Sequence, residues 1–371
     1  MFNNKQLSRR LQTSFYRIDK VILLIVYILV AIGTIFIYSA TKDDPATRSI
    51  IIKHIFWVIL GTIIMIAITF YDYRKLKNKA LLFNCLSLAL LFIVRFAGKT
   101  TLGAQRWIKL GPFTIQPSEF VKVAVIIILA SVITKKFKDG INGIGDIILS
   151  FIPIIPITIL ILLQPDLGTT LAIVFMFLTM IFLYGANMKS LIFLGLIALV
   201  LALPVYMFGF KDYQKKRVTT FLHPEQDTKG DGWHIIQSKI SIGAGGLTGT
   251  GIFKGSQSRL SFLPEAQTDF IFSIISEELG FVGSAGVIIL YFLLIFFILR
   301  PCKFIEDDFG KLILYGVASV FFFHLIVNVG MTMGMMPVTG KPLLFLSYGG
   351  SSYMSAFALI GLVQSIKIHI D

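Results

Sequence analysis

Two cysteines in 371 residues, Cys85 and Cys302, leave no room for a disulfide framework or a Cys-x-x-Cys metal site. Histidine is nearly as scarce, with 5 residues, and no His-Glu-x-x-His or other zinc-ligand spacing occurs. The Gly-x-Ser-x-Gly elbow of many hydrolases is missing as well. No internal repeat, low-complexity tract or heptad pattern is present, which sets aside solenoids and coiled coils. The inverted halves common in transporters are also lacking. Charge is the largest deficit: Asp, Glu, Lys and Arg make up 15% of the chain, against about 25% in an ordinary soluble domain.

Apolar side chains fill the space that charge vacates. The chain is 56% hydrophobic and holds 34 Phe and 12 Tyr, more than soluble cores of this length could hide. A bilayer must solvate much of it. A spanning helix needs about 20 mostly apolar residues, and ten such runs are found, at about 20–40, 50–70, 80–97, 117–134, 147–163, 167–187, 189–209, 269–299, 311–335 and 345–366. None alternates in polarity as a barrel strand would. The expected fold is an all-α polytopic membrane protein. It forms one domain over 1–371, with a single large polar loop at about 210–268 between the seventh and eighth helices.

The net charge of +14 does not point to nucleic acid, because Lys and Arg cluster in short segments flanking the apolar runs. Counting them by the positive-inside rule places both termini in the cytoplasm and the long loop outside. The first run follows MFNNKQLSRR without a small-residue cleavage site and is read as an anchor rather than a cleaved leader.

Polar residues inside apolar runs are costly and draw functional hypotheses. In GAQRWIKLGPFTIQPSEFVK, Glu119 and Lys122 stand three apart on one helix face, with Arg106 in the loop before them. They form either an internal ion pair or a cationic cluster at the outer membrane surface, suited to a lipid diphosphate. Asp269, Ser273 and Glu277 recur at every fourth residue where the eighth run begins. Asp269 there is either a simple helix cap or a general base, kept ionised by the helix dipole. His324, Asn328 and Thr332 repeat the spacing, which interhelical hydrogen bonding explains equally well. The segment after them, MPVTGKPLLFLSYGGSS, is read as non-helical backbone lining a cavity. The run IGAGGLTGTG lacks the Gly-Lys-Ser/Thr of a phosphate loop and is read as turns in a packed loop.

Taken in order, GAQRWI, QPSEFVK, QPDLGT, GWHIIQSKISIGAGG, FLPEAQTDFIFSIISEELG, NVGMTMG and PVTGKPLLFLSYGGSS resemble the RodA/FtsW/SpoVE family of bacterial cell-wall membrane proteins over residues 15–368. The short N-terminal tail and the loop segment look more like the family's elongation branch than its division branch. The resemblance implies a peptidoglycan glycosyltransferase that polymerises lipid II at the outer face of the bacterial cytoplasmic membrane, for cell elongation and shape. By motif, it implies a catalytic aspartate at Asp269 and substrate-binding roles for Arg106, Glu119, Lys122, Asp166 and Lys239. It makes Glu277 and Asn328 cavity residues. The charge of the diphosphate suits magnesium or manganese, though no dedicated metal cage is readable, and a class B penicillin-binding protein as transpeptidase partner follows from the same likeness. The sequence departs from the pattern at Leu344, where a second proline is usual, and at His324, where glutamine is commoner. A lipid II transporter and a non-catalytic scaffold are the competing readings.

Overall fold

The computed structural model describes residues 17–42, 47, 49–101, 104–111, 113–138, 140–204, 207, 209, 212–227, 230–255, 263 and 265–370. The basic residues of the first sixteen positions, the loop stretch 256–262 and Pro264 lie outside them. All ten apolar runs coincide with helices: α1 (Lys20–Thr41), α2 (Ile50–Thr69), α3 (Ala80–Ala97), α4 (Pro117–Lys136) and α5 (Ile144–Leu163, with a 3₁₀ turn at Ile152–Ile154). They continue with α6 (Leu167–Leu183), α7 (Met188–Pro204), α10 (Ile271–Leu299), α11 (Asp308–Thr332) and α12 (Gly350–Ile368). Seven of them, α1 to α5 with α10 and α11, are long and apolar enough to cross a membrane. Helices α6 and α7 have 17 residues each.

The local signals that start these helices are physical ones. Asp19 caps α1 by accepting the Val21 and Ile22 N–H groups at 2.9 and 3.1 Å. Pro117 opens α4, with Glu119 in its first turn and Lys135 and Lys136 in its last, as the helix dipole favours. Helices α4, α11 and α12 are buried along most of their length, while α2, α3 and α7 turn many apolar side chains outward. Helix α12 packs on α2 and α4, and α11 sits between α4, α6 and α10. Where α1 begins and α12 ends, Asp19 pairs with Lys367, and Gln364 and Asp19 exchange hydrogen bonds of 2.9 and 3.0 Å. That double tie closes the bundle by joining the start of α1 to the end of α12.

Two features depart from the expectation of helices alone. Between α3 and α4 the chain forms three antiparallel strands, β1 (Lys99–Thr101), β2 (Ala104–Leu110) and β3 (Phe113–Ile115), with Ile108 opposite Ile115 and Leu110 opposite Phe113. Thr, Ile, Trp and Phe concentrated in short runs around a Gly turn are strand formers, and a search for 20-residue runs passes over them. The polar stretch 210–268 is no plain loop either: it carries α8 (Asp212–Leu222) and α9 (Asp231–Gly245), and α9 packs along α10. The expected last helix starts later, at Gly350 rather than about 345, because 334–349 is non-helical.

Helix α10 is broken at Gly280, whose φ of +66° only glycine adopts without strain. The break releases backbone groups that the glycine-rich run then pairs. Thr250 and Gly251 donate their N–H groups to the Glu277 and Glu278 carbonyls at 2.9 and 3.0 Å. In return, Phe281 and Val282 donate to the Gly246 and Leu247 carbonyls at 2.9 and 3.2 Å. In a water-poor setting such pairing is obligatory. The run is thus a backbone dock, as its reading as packed turns anticipates. A Cβ at Gly280 would collide with the Gly249 nitrogen and stand 2.7 Å from the Leu247 carbonyl carbon. Gly280→Ala should therefore destabilise the solubilised protein by about 2 kcal/mol or more. Thermal unfolding should show a lowered Tm for it and an unchanged one for Gly286→Ala, where nothing lies within 4 Å.

Candidate active site

The site is assembled where the non-helical segment 334–349 meets the turn before α10, the turn between α5 and α6, and the last turns of α11. Asp166, between α5 and α6, caps α6 by accepting the Thr169 N–H at 3.1 Å and its hydroxyl at 2.8 Å. Gln116 Nε2 and Ser118 Oγ donate at 3.0 and 3.3 Å to Oδ2, the oxygen that also accepts the Thr169 hydroxyl. The Lys341 ammonium completes the shell at 3.0 Å, with both side chains at most 3% exposed. Burial alone would raise the Asp166 pKa, but Lys341, Arg106 and the Thr169 bonds together hold it well below the usual carboxylate range.

The cations expected at the surface lie inward instead. Arg106, on β2, donates Nε to the Gln164 carbonyl at 3.0 Å and a terminal nitrogen to the Pro165 carbonyl, so its guanidinium shapes the Asp166 turn. Lys122 is buried in the bundle, 2.9 Å from both Glu119 Oε2 and His324 Nε2. His324 Nδ1 lies 2.7 Å from the Pro342 carbonyl, so that nitrogen carries the proton and Nε2 accepts from Lys122. The ion-pair reading of Glu119 and Lys122 is the one this geometry fits. A buried ammonium and carboxylate need each other and further hydrogen bonds, whereas their place in the first turns of α4 is all that suggests a surface cluster.

Asn328, also from α11, donates from Nδ2 to two backbone carbonyls, of Asp269 and of Lys341, each at 2.9 Å. One amide thereby joins the turn before α10 to the non-helical segment. The Asp269 carboxylate faces Gly340, where a Cβ would stand 3.4 Å from Oδ2 at a φ of +65°. Asp269 caps nothing: the N-cap of α10 is Phe270, with no side-chain bond, and the capping reading fails for that reason. The helix dipole, expected to favour the ionised form of Asp269, is not what sets its acidity. Burial first, then Glu265 and Asp231, outweigh Lys341 and Arg217 and push its pKa up to about 6. Asp269 as a whole residue is half-buried.

Lys239 is exposed on α9 and lies across Gly334 at the end of α11. Glu277 is buried away from Asp269, against Gly255 and the glycine-rich dock. Lys341 and Thr169 are contributors that motif reading passes over. Yet Lys341 has no other Lys, Arg, Asp or Glu between positions 312 and 366, and Asp166 has none between 147 and 188. Two lone opposite charges in apolar surroundings are a signal for a buried pair.

The model of the FtsW, RodA and SpoVE cell cycle proteins matches residues 19–371. The peptidoglycan glycosyltransferase RodA of Treponema pallidum (strain Nichols) is 35% identical, over 94% of this chain and 97% of that protein. The peptidoglycan glycosyltransferase MrdB of Escherichia coli (strain K12) is 37% identical, over 95% of this chain and 94% of its own. Among solved structures, a chain of a peptidoglycan synthase complex that coordinates polymerization and crosslinking superposes with a TM-score of 0.81 at 30% identity, covering 95% of this chain and 99% of that one. The rod shape determining protein RodA of Thermus thermophilus superposes with a TM-score of 0.68 at 28% identity, covering 94% and 96%. In sequence and in fold, over nearly its whole length, the chain belongs to the FtsW/RodA/SpoVE family of cell cycle proteins.

Proposed function

We propose that this chain is a peptidoglycan glycosyltransferase that joins lipid II units into glycan strands, with Asp269 as the general base. The observation that carries the reading is the Asp269 carboxylate. It caps no helix, belongs to a residue that is only half-buried and is fixed by main-chain contacts beside a non-helical segment. A structural aspartate would spend its oxygens on a cap, as Asp166 does. The names of the relatives support the activity.

In the proposed reaction the acceptor sugar hydroxyl attacks the anomeric carbon of the donor and gives its proton to Asp269. The bond from that carbon to the undecaprenyl diphosphate breaks, and the diphosphate leaves with the electron pair. Such a leaving group needs no general acid, unlike glycoside hydrolysis with its two carboxyl groups. One displacement inverts the α-linked donor to a β-glycan. Exposed Lys216 and Lys239, with partly exposed Arg217, offer the diphosphate its counter-charge. Arg106, Lys122 and Asp166 serve from within, holding the walls. Magnesium or manganese would enter as a counter-ion of the substrate diphosphate. Among the described residues no group of three or more His, Cys, Asp or Glu could hold one, and no step is routed through it.

The same reading makes the chain one membrane domain with ten crossings, both termini in the cytoplasm and the 210–268 region outside the bacterial inner membrane. A class B penicillin-binding protein would cross-link the strands, a partnership supported by the structural neighbour that belongs to a polymerizing and crosslinking complex. Transport or scaffolding alone would leave the placement of Asp269 without a use.

Three outcomes follow. Asp269→Asn should lower kcat for labelled lipid II by about 10²–10⁴-fold with an unchanged Tm; near-normal polymerisation would remove the base assignment. Because the base must be ionised and its pKa is raised to about 6, activity should be present above that pH and fall as pH drops through about 6. A flat profile from pH 5 to 8 would contradict it. Lys122→Ala leaves Glu119 buried without its partner and should cost about 3–5 kcal/mol of stability. Glu119→Gln should be milder in both Tm and activity, and equal losses would show that the pair is not the unit that matters.

A further inference from the structure

Lys341 has no part in the proton transfer or in the diphosphate counter-charge, yet its main chain and its side chain both border the Asp269 site. The non-helical segment that carries it is held from two sides. On the α11 side, His324 bonds the Pro342 carbonyl at 2.7 Å and Asn328 bonds the Lys341 carbonyl at 2.9 Å. On the other side the hold is the Lys341 side chain, whose ammonium sits 3.0 Å from Asp166 Oδ1 and also donates to the Thr169 hydroxyl. Gly168 clears the path for the lysine stem, since a Cβ there would collide with Lys341 Cε.

The residue before Lys341 is the one that faces Asp269. Gly340 has a φ of +65°, and a Cβ there would stand 3.4 Å from Asp269 Oδ2. The amide nitrogen that bonds the Lys341 carbonyl also bonds the Asp269 carbonyl at 2.9 Å. A shift of Lys341 thus reaches Asp269 through one neighbour on each side. Charge acts in the same direction. Around Asp269 stand Glu265 from its own turn, Asp231 on α9, Arg217 on α8 and Lys341, with His234 of α9 against the adjacent Phe270 ring at 5.8 Å. The two cations favour the ionised carboxylate, and the acidic groups and burial oppose it.

We propose that Lys341 is a positioning residue for glycosyl transfer: its buried ammonium anchors the Gly340–Lys341 backbone to the Asp166 turn and so sets the place and the charge state of the Asp269 carboxylate. This rests on the reading of Asp269 as the base. A simpler role, in which Lys341 only neutralises Asp166, makes a different forecast, and the double variant Asp166→Asn/Lys341→Met separates the two because it removes the pair without leaving a lone buried charge.

The experiment measures polymerisation of labelled lipid II in defined proteoliposomes across pH 5–8, for wild type, Lys341→Met, the double variant, Lys341→Arg and Asp269→Asn. The double variant should keep the Tm of the wild type, lose about 10–100-fold in kcat with little change in KM, and show its acid limb displaced upward by about 1 pH unit. Lys341→Arg keeps the charge but moves the head group, so its kcat should fall with the acid limb in place. A double variant with wild-type kcat and acid limb, alongside an inactive Asp269→Asn, would overturn the proposal and leave Lys341 a counter-charge only. If neither methionine variant folds, wild-type kcat in Lys341→Arg overturns it in the same way. An active Asp269→Asn would overturn the base reading, and this proposal with it.

Discussion

An ammonium and a carboxylate taken out of water together survive only if each finds the other and both find hydrogen-bond partners. Asp166 and Lys341 meet that condition at 3.0 Å, with Gln116, Ser118 and Thr169 filling the remaining positions on the carboxylate. The pair spans the sequence from the α5–α6 turn to the segment before α12, so it fixes two stretches that carry little regular structure of their own. Around it the Glu119–Lys122–His324 chain repeats the solution one layer away, ending on the Pro342 carbonyl of the same segment. The non-helical backbone is tolerated because side chains from α10, α11 and α12 bond its carbonyls, and Asp166 with Thr169 pairs its charge.

A second constraint shapes the opposite flank of the site. Helix α10 follows the turn that carries Asp269 and breaks at Gly280. The four backbone groups so released are matched by Thr250, Gly251, Gly246 and Leu247 of the glycine-rich run. The first part of α10 is enclosed by protein, whereas many apolar side chains beyond the break, such as Phe281, Val282 and Phe296, face outward. The glycines that resemble a nucleotide loop in the sequence serve helix docking. The carboxylate at the head of α10 is left between two braced elements, the docked helix and the anchored segment.

Much of this was legible in the residues. Runs of about 20 apolar side chains located every long helix, because the bilayer imposes that length. Pro and Gly in MPVTGKPLLFLSYGG marked the non-helical stretch, and the i, i+4 polar stripe of α11 marked the face that bonds it. What escaped was long-range. The direction in which Arg106 and Lys122 point depends on carbonyls and a histidine 58 and 202 residues away in sequence. The same holds for Asp269, whose acidity is set by burial and by groups on three other elements rather than by its own helix. The small β-sheet was missed because its strands are of 3 and 7 residues, far below the length a membrane search weighs.

A glycosyltransferase makes the glycosidic bond itself rather than carrying or scaffolding its substrate. Purified protein in vesicles containing labelled lipid II, with no other enzyme present, tests it directly. Long glycan strands with linkages of β configuration, digested by a muramidase, are the expected product. Movement of intact lipid II between leaflets, with no strand longer than the starting disaccharide, would contradict this activity.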